Sequence, residues 1–401
     1  MPTLHYISYA RFPTEKANGL QIAQNCEALA DTGYDVTLWA SNRKNTDEMN
    51  AIDDIYGHYG VKSNFAIKRI PAIDLYPLTG GNSRLEFIAF YVHVITYCLA
   101  LIFTVLRNPA DIYYSRDRYA LIALSLIIPK EKLAFEVHQF APSKSGAQVQ
   151  KTVTKRVGHI IAITEKLRTD FIDQREATPE QIIVAHDGIR EARFTNLPDK
   201  LTARKQVNWS KTDFLVGFVG QLKMLASLDK GVGTLIEALA KLDNVSIALV
   251  GGPEEAVSAL CERWQNHGLD KERFLYAGQV KPDEVPLYIR AFDVCAMPHP
   301  FNPQFAYYTS PLKLFEYMAS ERPVVASDLP GWADVVTHEE TALLVPPGDV
   351  DALAEAIARL KENPDLAEKI AMAARERVFK HYTWEARANL IRIHLERGNR
   401  Q

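Results

Sequence analysis

The chain has 401 residues, which at ~150 residues per domain points to two or three domains. Apolar residues make up 47% and charged residues 24%, a balance that excludes disorder for the bulk of the chain. Lys plus Arg (46) against Asp plus Glu (49) leaves a net charge of −3, which argues against a general nucleic-acid binder.

The start, MPTLHYISYARF, lacks a charged segment followed by an apolar run, so no secretory signal is expected. LHYISY (4–9) reads as a strand. After Gly19 comes a helix with Ile22, Cys26 and Leu29 on one face, stopping at Gly33. DVTLWA (35–40) is the next strand. The segment from Leu85 to Leu106 is long and apolar enough to span a bilayer. It carries Glu86 and His93, both costly in hydrocarbon. A helix buried against a sheet is the expectation, an interfacial helix the alternative. DIYYS (111–115), KLAFEVH (132–138), HIIAIT (159–164) and QIIVAH (181–186) complete a first β/α series. Alternation of this kind implies a mostly parallel, doubly wound sheet.

The polar stretch within 194–213 reads as a linker. A second series follows, with strands at 214–220, 245–251, 273–278, 292–298, 323–327 and 341–345, and an amphipathic helix at 382–395. The expectation is α/β throughout: an N-terminal domain over 1–195, a second over 210–384, and a last helix, about 385–401, packing back on the first. Cys26, Cys98, Cys261 and Cys295 show no metal or redox spacing, so they read as reduced, mostly buried residues of a cytosolic protein.

Two segments carry chemistry. In YYTSPLKLFEYMAS (307–320), Thr309 or Ser310 suits an N-cap and Pro311 the first helical position. The free amides of Leu312 and Lys313 then form an anion site at the helix end. Lys313 opposes the helix dipole unless a phosphate binds there. Glu316 lies one turn beyond Leu312 and reaches the same ligand. A capped surface helix with an exposed Lys and Glu is the bland alternative. In FVGQLKMLASLDKGVGTLIEAL, a strand ends at Gly220, a loop carries Gln221 and Lys223, and Lys230 opens the next helix, again against the dipole. GxxxxGK[ST] is absent, so this is no P-loop. LVGGPEE, with Gly252, is a third glycine-bearing strand end.

These pieces resemble glycosyltransferase family 4, the retaining transferases of the GT-B fold. The matching segments, in family order, are VGQLKM…DKG, LVGGPEE, YAGQVKPDEVPLYIRAFDVCAMP, SPLKLFEYMASERPVVASDLPG and TALLVPPGDVDALAEAI. In the first half NGLQIAQNCEALADTGYDVTLWA, FEVH, IIAITEKLR and VAHDGI match as well. The resemblance implies two doubly wound Rossmann-like domains facing across a cleft. It implies a nucleotide-sugar donor held by the second domain, with Glu316 on the ribose hydroxyls and Lys230 on the diphosphate. Amides near Leu312 and Lys313 would hold phosphate, with Gly220, Ser310 and Pro311 around them, and backbone at Gln279 and Val280 would meet the base. His138 would stand near the transferred sugar. Gly19 and Asn18 would line the first domain, with Arg116 on the acceptor side.

Two positions depart from the family pattern. Tyr308 stands where the first glutamate of the Glu-seven-residues-Glu motif belongs, and Gln221 replaces an arginine, with Lys223 two residues on.

The implied activity is that of a metal-independent, retaining hexosyltransferase, using a UDP-sugar in preference to GDP-mannose and acting in polysaccharide or glycolipid biosynthesis. The alternatives are a catalytically degenerate nucleotide-sugar binder, or an epimerase or phosphorylase on the same fold. No cofactor or metal is expected, because the DxD at Asp349–Asp351 reads as a helix N-cap. The expected partners are donor and acceptor, not nucleic acid, with the protein a monomer or dimer. The expected location is cytoplasmic, with peripheral attachment at the inner face of a membrane left open. His93 reads as a satisfied buried side chain, and His299 and His338 as loop residues.

Overall fold

The computed structural model describes residues 1–209, 213–222, 230–310 and 312–398. The chain divides into two compact units: Met1–His186 together with a segment beginning at Trp384, and Asp187–Thr383.

Among the described residues the first unit has seven parallel strands: β1 (Thr3–Ser8), β2 (Asp35–Ser41), β3 (Ala66–Ile70), β4 (Ile112–Ser115), β5 (Leu133–Val137), β6 (His159–Ala162) and β7 (Ile182–Val184). Their order is β3-β2-β1-β4-β5-β6-β7. Helices cover both faces, so β1, β4 and β5 are buried almost throughout and are mostly apolar. β3 escaped the sequence reading. Its residues AIKRI bury only Ile70 fully, and an edge strand with Lys68 and Arg69 carries no apolar alternation to detect.

The second unit has six described strands: β8 (Phe214–Val219), β9 (Val245–Val250), β10 (Phe274–Gly278), β11 (Val294–Met297), β12 (Val324–Ser327) and β13 (Leu343–Val345). Their order is β10-β9-β8-β11-β12-β13, all parallel. Along β8, Leu215 and Val219 enter one core cluster and Val216 and Phe218 the other, as period-two alternation across a sheet requires.

The stretch expected as a linker is structured instead. Asp199 accepts from the Thr202 amide at 3.0 Å and caps the helix Lys200–Gln206. Arg204 is buried, donates from Nε to the Ala291 carbonyl at 2.8 Å and pairs with Asp293. Polar residues that suggested solvent are thus used against the second core, and the chain divides earlier, after His186. The last helix, Trp384–Gly398, contacts the helix Ala17–Asp31, with Arg387 Nη1 donating to Asn25 Oδ1 at 2.7 Å.

The apolar segment forms the helix Ser83–Arg107, capped by Asn82. One face is buried through Ala89, His93, Val94, Tyr97, Leu101 and Val105. His93 is satisfied, as expected: Nδ1 lies 3.3 Å from the Ile73 carbonyl oxygen and Nε2 3.3 Å from Ser41 Oγ. The opposite face is exposed, which corrects the expectation of a buried helix. A sequence apolar around its whole circumference has no periodicity to show that only one side meets the sheet. Cys26 and Cys295 are buried, whereas Cys98 and Cys261 are only half-buried. Asp349 caps the helix Val350–Glu362, accepting from the Ala352 amide at 2.9 Å, and His338 holds a loop by accepting from the Leu344 amide.

Gly231 begins the helix Val232–Leu239 at φ +85°, and a Cβ there would lie 1.6 Å from the Pro298 carbonyl oxygen. Gly231→Ala is expected to destabilise the protein by about 3 kcal/mol, combining left-handed strain with a backbone clash. Denaturant unfolding measures this, and a loss below about 0.5 kcal/mol contradicts it.

Candidate functional site

Where strand order reverses in an open parallel sheet, the loops leaving the carboxyl ends of the strands diverge to opposite faces and leave a crevice. In the second unit the reversal lies between β8 and β11, in the first between β1 and β4.

β8 leads into Gly220 at φ +118°, and β9 into Gly251 at φ +124°. A Cβ on Gly251 would stand 2.3 Å from the Gly220 carbonyl oxygen, so the two strand ends meet backbone to backbone. The helix Leu312–Ala319 is anchored here by Tyr317, whose hydroxyl accepts from the Val219 amide at 2.7 Å. Lys313, four residues earlier and therefore on the same helix face, is delivered to the end of β8. Its Nζ lies 3.4 Å from where a Gly220 Cβ would be and 4.2 Å from the centroid of the Phe218 ring.

The Lys313 ammonium is shielded from water and has no hydrogen-bond partner. Burial pushes its pKa well below the usual lysine value, and the charge of Lys230 adds to this, against a smaller pull from Glu316. Lys230 is half-buried just before Gly231, and burial lowers its pKa too. His299 lies in the loop after β11, as expected, and is buried there. Burial, then Lys313 and Lys230, hold it far below the usual histidine range, so it is neutral at pH 7. Glu316 is raised to about 7 by burial, against Arg193 and Lys313. Two desolvated lysines beside a glycine strand end suit a multiply charged anion such as a diphosphate.

The other second-unit positions lie around this centre. Leu312 stands at the start of the helix Leu312–Ala319. The Ser310 hydroxyl accepts from the Asp187 amide at 3.1 Å, and the Gly252 carbonyl accepts from the Leu222 amide at 2.7 Å. Gln221 is exposed. Gln279 is exposed and Val280 half-buried just after β10, whose terminal Gly278 carbonyl accepts from the Gly251 amide at 2.7 Å. Tyr308 ends the helix Pro303–Tyr308, with its ring against Tyr307. Lys223 and Pro311 lie outside the described residues.

In the first unit the sequence reading missed the central residue, Glu136 on β5. Its carboxylate is buried and accepts from Asn25 Nδ2 at 2.9 Å, the Tyr114 hydroxyl and His138 Nε2. Arg387 Nη2 lies 3.3 Å and Arg116 Nε 3.9 Å from its oxygens. Burial pushes the Glu136 carboxyl up, but Arg387, His138 and Arg116 outweigh this and hold it well below the usual range. His138 is lowered to about 4 by burial and Arg116, with Glu136 opposing, so its imidazole is neutral at pH 7. An ionised carboxylate only accepts, so Nε2 carries the His138 proton and Nδ1 is left as an acceptor. Glu136 thus brings His138 and Arg116 together. The one signal for it was a carboxylate inside an apolar strand.

Arg116 Nη1 also donates to Gln21 Oε1 at 3.3 Å, tying in the helix that begins beside Asn18 and Gly19. Asn18 Oδ1 is buried without a hydrogen-bond partner. Gly19 is required by packing: a Cβ would lie 2.4 Å from the Tyr59 hydroxyl, which bonds the Thr14 backbone at both ends.

Residues 213–363 match the family described as glycosyl transferases group 1. A D-inositol 3-phosphate glycosyltransferase of Corynebacterium efficiens is 26% identical over 287 residues, 68% of this chain and 65% of the relative, so the match spans just under two thirds of that protein. A sucrose-phosphate synthase structure from Thermosynechococcus elongatus superposes with TM-score 0.77 at 22% identity, covering 99% of each chain. The Anabaena protein HepE, solved in complex with UDP-glucose, superposes with TM-score 0.70 at 19% identity, covering 99% of this chain and 100% of its own. These likenesses identify the two parallel α/β units as a GT-B fold built from two Rossmann-like domains.

Lys313→Met keeps the bulk of the side chain and removes the unpartnered cation. It is expected to stabilise the ligand-free protein by about 1–2 kcal/mol. The depressed pKa means the unfolded chain binds this proton more tightly, so wild-type stability rises with pH between the depressed folded value and the unfolded lysine value, about 10.4. That contribution vanishes in the variant. Calorimetric melting across pH checks both, and a destabilised variant with an unchanged pH slope contradicts them.

Proposed function

We propose that the protein is a retaining glycosyltransferase that moves a hexose from a nucleotide-diphosphate sugar, a UDP-sugar in preference to GDP-mannose, to a glycan, glycolipid or other cell-surface acceptor. The observation that carries this is the shielded, unpartnered Lys313 ammonium beside Gly220, with Lys230 near enough to disfavour its charge. A donor diphosphate supplies the anion that relieves both cations. The UDP-glucose held by the Anabaena neighbour favours uridine, and the inositol-phosphate relative favours a polar, phosphorylated acceptor.

In this reading Glu316 accepts from the ribose hydroxyls, and helix amides at Leu312 and Lys313 join the lysines around the diphosphate. The bond from the anomeric carbon to the diphosphate oxygen breaks, and the acceptor oxygen bonds to the same face of the sugar. The acceptor proton passes to the leaving phosphate, whose growing charge Lys230 and Lys313 stabilise. The two lysines take the place of a divalent cation, so the reaction is metal-independent. In the first unit, neutral His138, held by Glu136, offers an accepting nitrogen. Tyr308, standing in for a motif glutamate, motivates a second reading, a nucleotide-sugar binder without turnover.

Melting against UDP, GDP, ADP and TDP, with and without magnesium, tests the donor reading. A nucleotide at 100-fold its Kd stabilises by about 2.7 kcal/mol. The expected result is a shift with UDP that magnesium leaves unchanged and Lys313→Met removes. Affinity is expected to fall as pH rises, because a deprotonated Lys313 must take up a proton to bind the anion. No shift with any nucleotide overturns the reading, and binding without turnover on any acceptor favours the second one.

Glu316→Ala is expected to weaken UDP binding about tenfold, the worth of one hydrogen bond to a charged group. Titration calorimetry measures this, and unchanged affinity removes Glu316 from the ribose.

A further inference from the structure

The outward face of the helix Ser83–Arg107 is continuous and apolar. Every exposed position between Phe87 and Leu106 is apolar or tyrosine. Phe87, Tyr91, Ile95, Leu99, Phe103 and Leu106 are between 38% and 64% exposed. At 1.5 Å per residue this stripe runs about 29 Å. Leu126, 69% exposed, and Ile127 follow the adjoining helix Arg118–Leu124, which meets the stripe helix through the Tyr119 and Phe90 rings. Isolated exposed apolar residues are ordinary, but a patch of this length is not.

The helix is long and apolar enough to cross a membrane, yet the fold forbids it. Its inner face is fastened to the sheet: the Tyr97 hydroxyl donates to the Trp39 carbonyl at 3.1 Å, and His93 is bonded to Ser41 and Ile73. Spanning would strip these polar groups of their partners.

The charges border the stripe. Within the helix they are Arg84 and Glu86 at one end and Arg107 at the other. Exposed Arg156 donates to Ser125 Oγ beside Leu126, and exposed Lys130 follows Ile127. A mostly cationic rim around an apolar centre complements anionic headgroups over acyl chains, whereas two copies pressed face to face would bring such rims together.

We propose that this face docks the protein onto an anionic lipid bilayer, the helix lying flat with its outer side chains below the headgroups and Arg84, Arg107, Lys130 and Arg156 among the phosphates. The docking does not rest on the proposed transfer reaction.

Flotation of the full-length protein tests it, with vesicles of phosphatidylcholine alone and of phosphatidylcholine mixed with phosphatidylglycerol. The expected result is flotation with the anionic vesicles. It should fall at least tenfold in the variant Ile95→Ser, Leu99→Ser, Phe103→Ser, whose melting temperature stays within about 2 °C of wild type because the side chains face outward. Arg84→Gln and Arg107→Gln should each weaken binding to the anionic vesicles about fivefold and leave the neutral ones unaffected. Wild-type protein that does not float overturns the proposal, as does a triple variant that floats equally well. A concentration-dependent dimer that the triple variant abolishes, in protein that does not float, assigns the face to a second copy instead.

Discussion

The Lys313 ammonium, held against the Phe218 ring with no hydrogen-bond partner, is the constraint around which the second unit is arranged. A buried cation without a counter-ion destabilises the fold that contains it, so other contacts must hold it in place. Tyr317 does so by bonding the Val219 amide one helical turn away, which sets the ammonium beside Gly220. The same arrangement leaves Lys230 and His299 desolvated nearby, with His299 neutral. A site with this much unsatisfied positive potential has its affinity for an anion built in before any ligand arrives.

The first unit solves the converse problem. Glu136 is a carboxylate inside a fully buried strand, and it stays ionised because five side chains from four parts of the chain converge on it. One of them, Arg387, arrives on the last helix, so the C-terminal segment returns to complete the charge balance at the end of β5. The consequence for His138 is a defined tautomer and a neutral ring. Removing either charge from such a cluster strands the other in low dielectric, so the cluster persists as a unit.

Much of this was legible along the chain. The apolar runs that became β1, β8 and β9 needed no tertiary information, because strands covered on both faces are apolar at most positions. The lysines at 230 and 313 stood out because each opposes a helix dipole, and Gly220 stood out as the end of a strand. β3 did not stand out, because an edge strand carrying Lys68 and Arg69 looks like a loop. Residues 200–206 looked like a linker because Arg204 and Lys200 read as solvated until Asp293 is placed beside them. Gly19 invited a ligand-binding explanation, whereas the Tyr59 hydroxyl explains it by close packing.

What the sequence by itself determined is the parallel α/β architecture of both units, the strand ends that carry the site, and the placement of Lys313 and Glu316 on one short helix. These follow from periodicity and local capping, which act over a few residues. Only the tertiary structure decided that Glu136 and Arg387 share a charge cluster, that Lys313 has no partner, and that one side of the helix Ser83–Arg107 stays uncovered. Burial and pairing are properties of what the rest of the chain places nearby, and no local pattern encodes a neighbour hundreds of residues away.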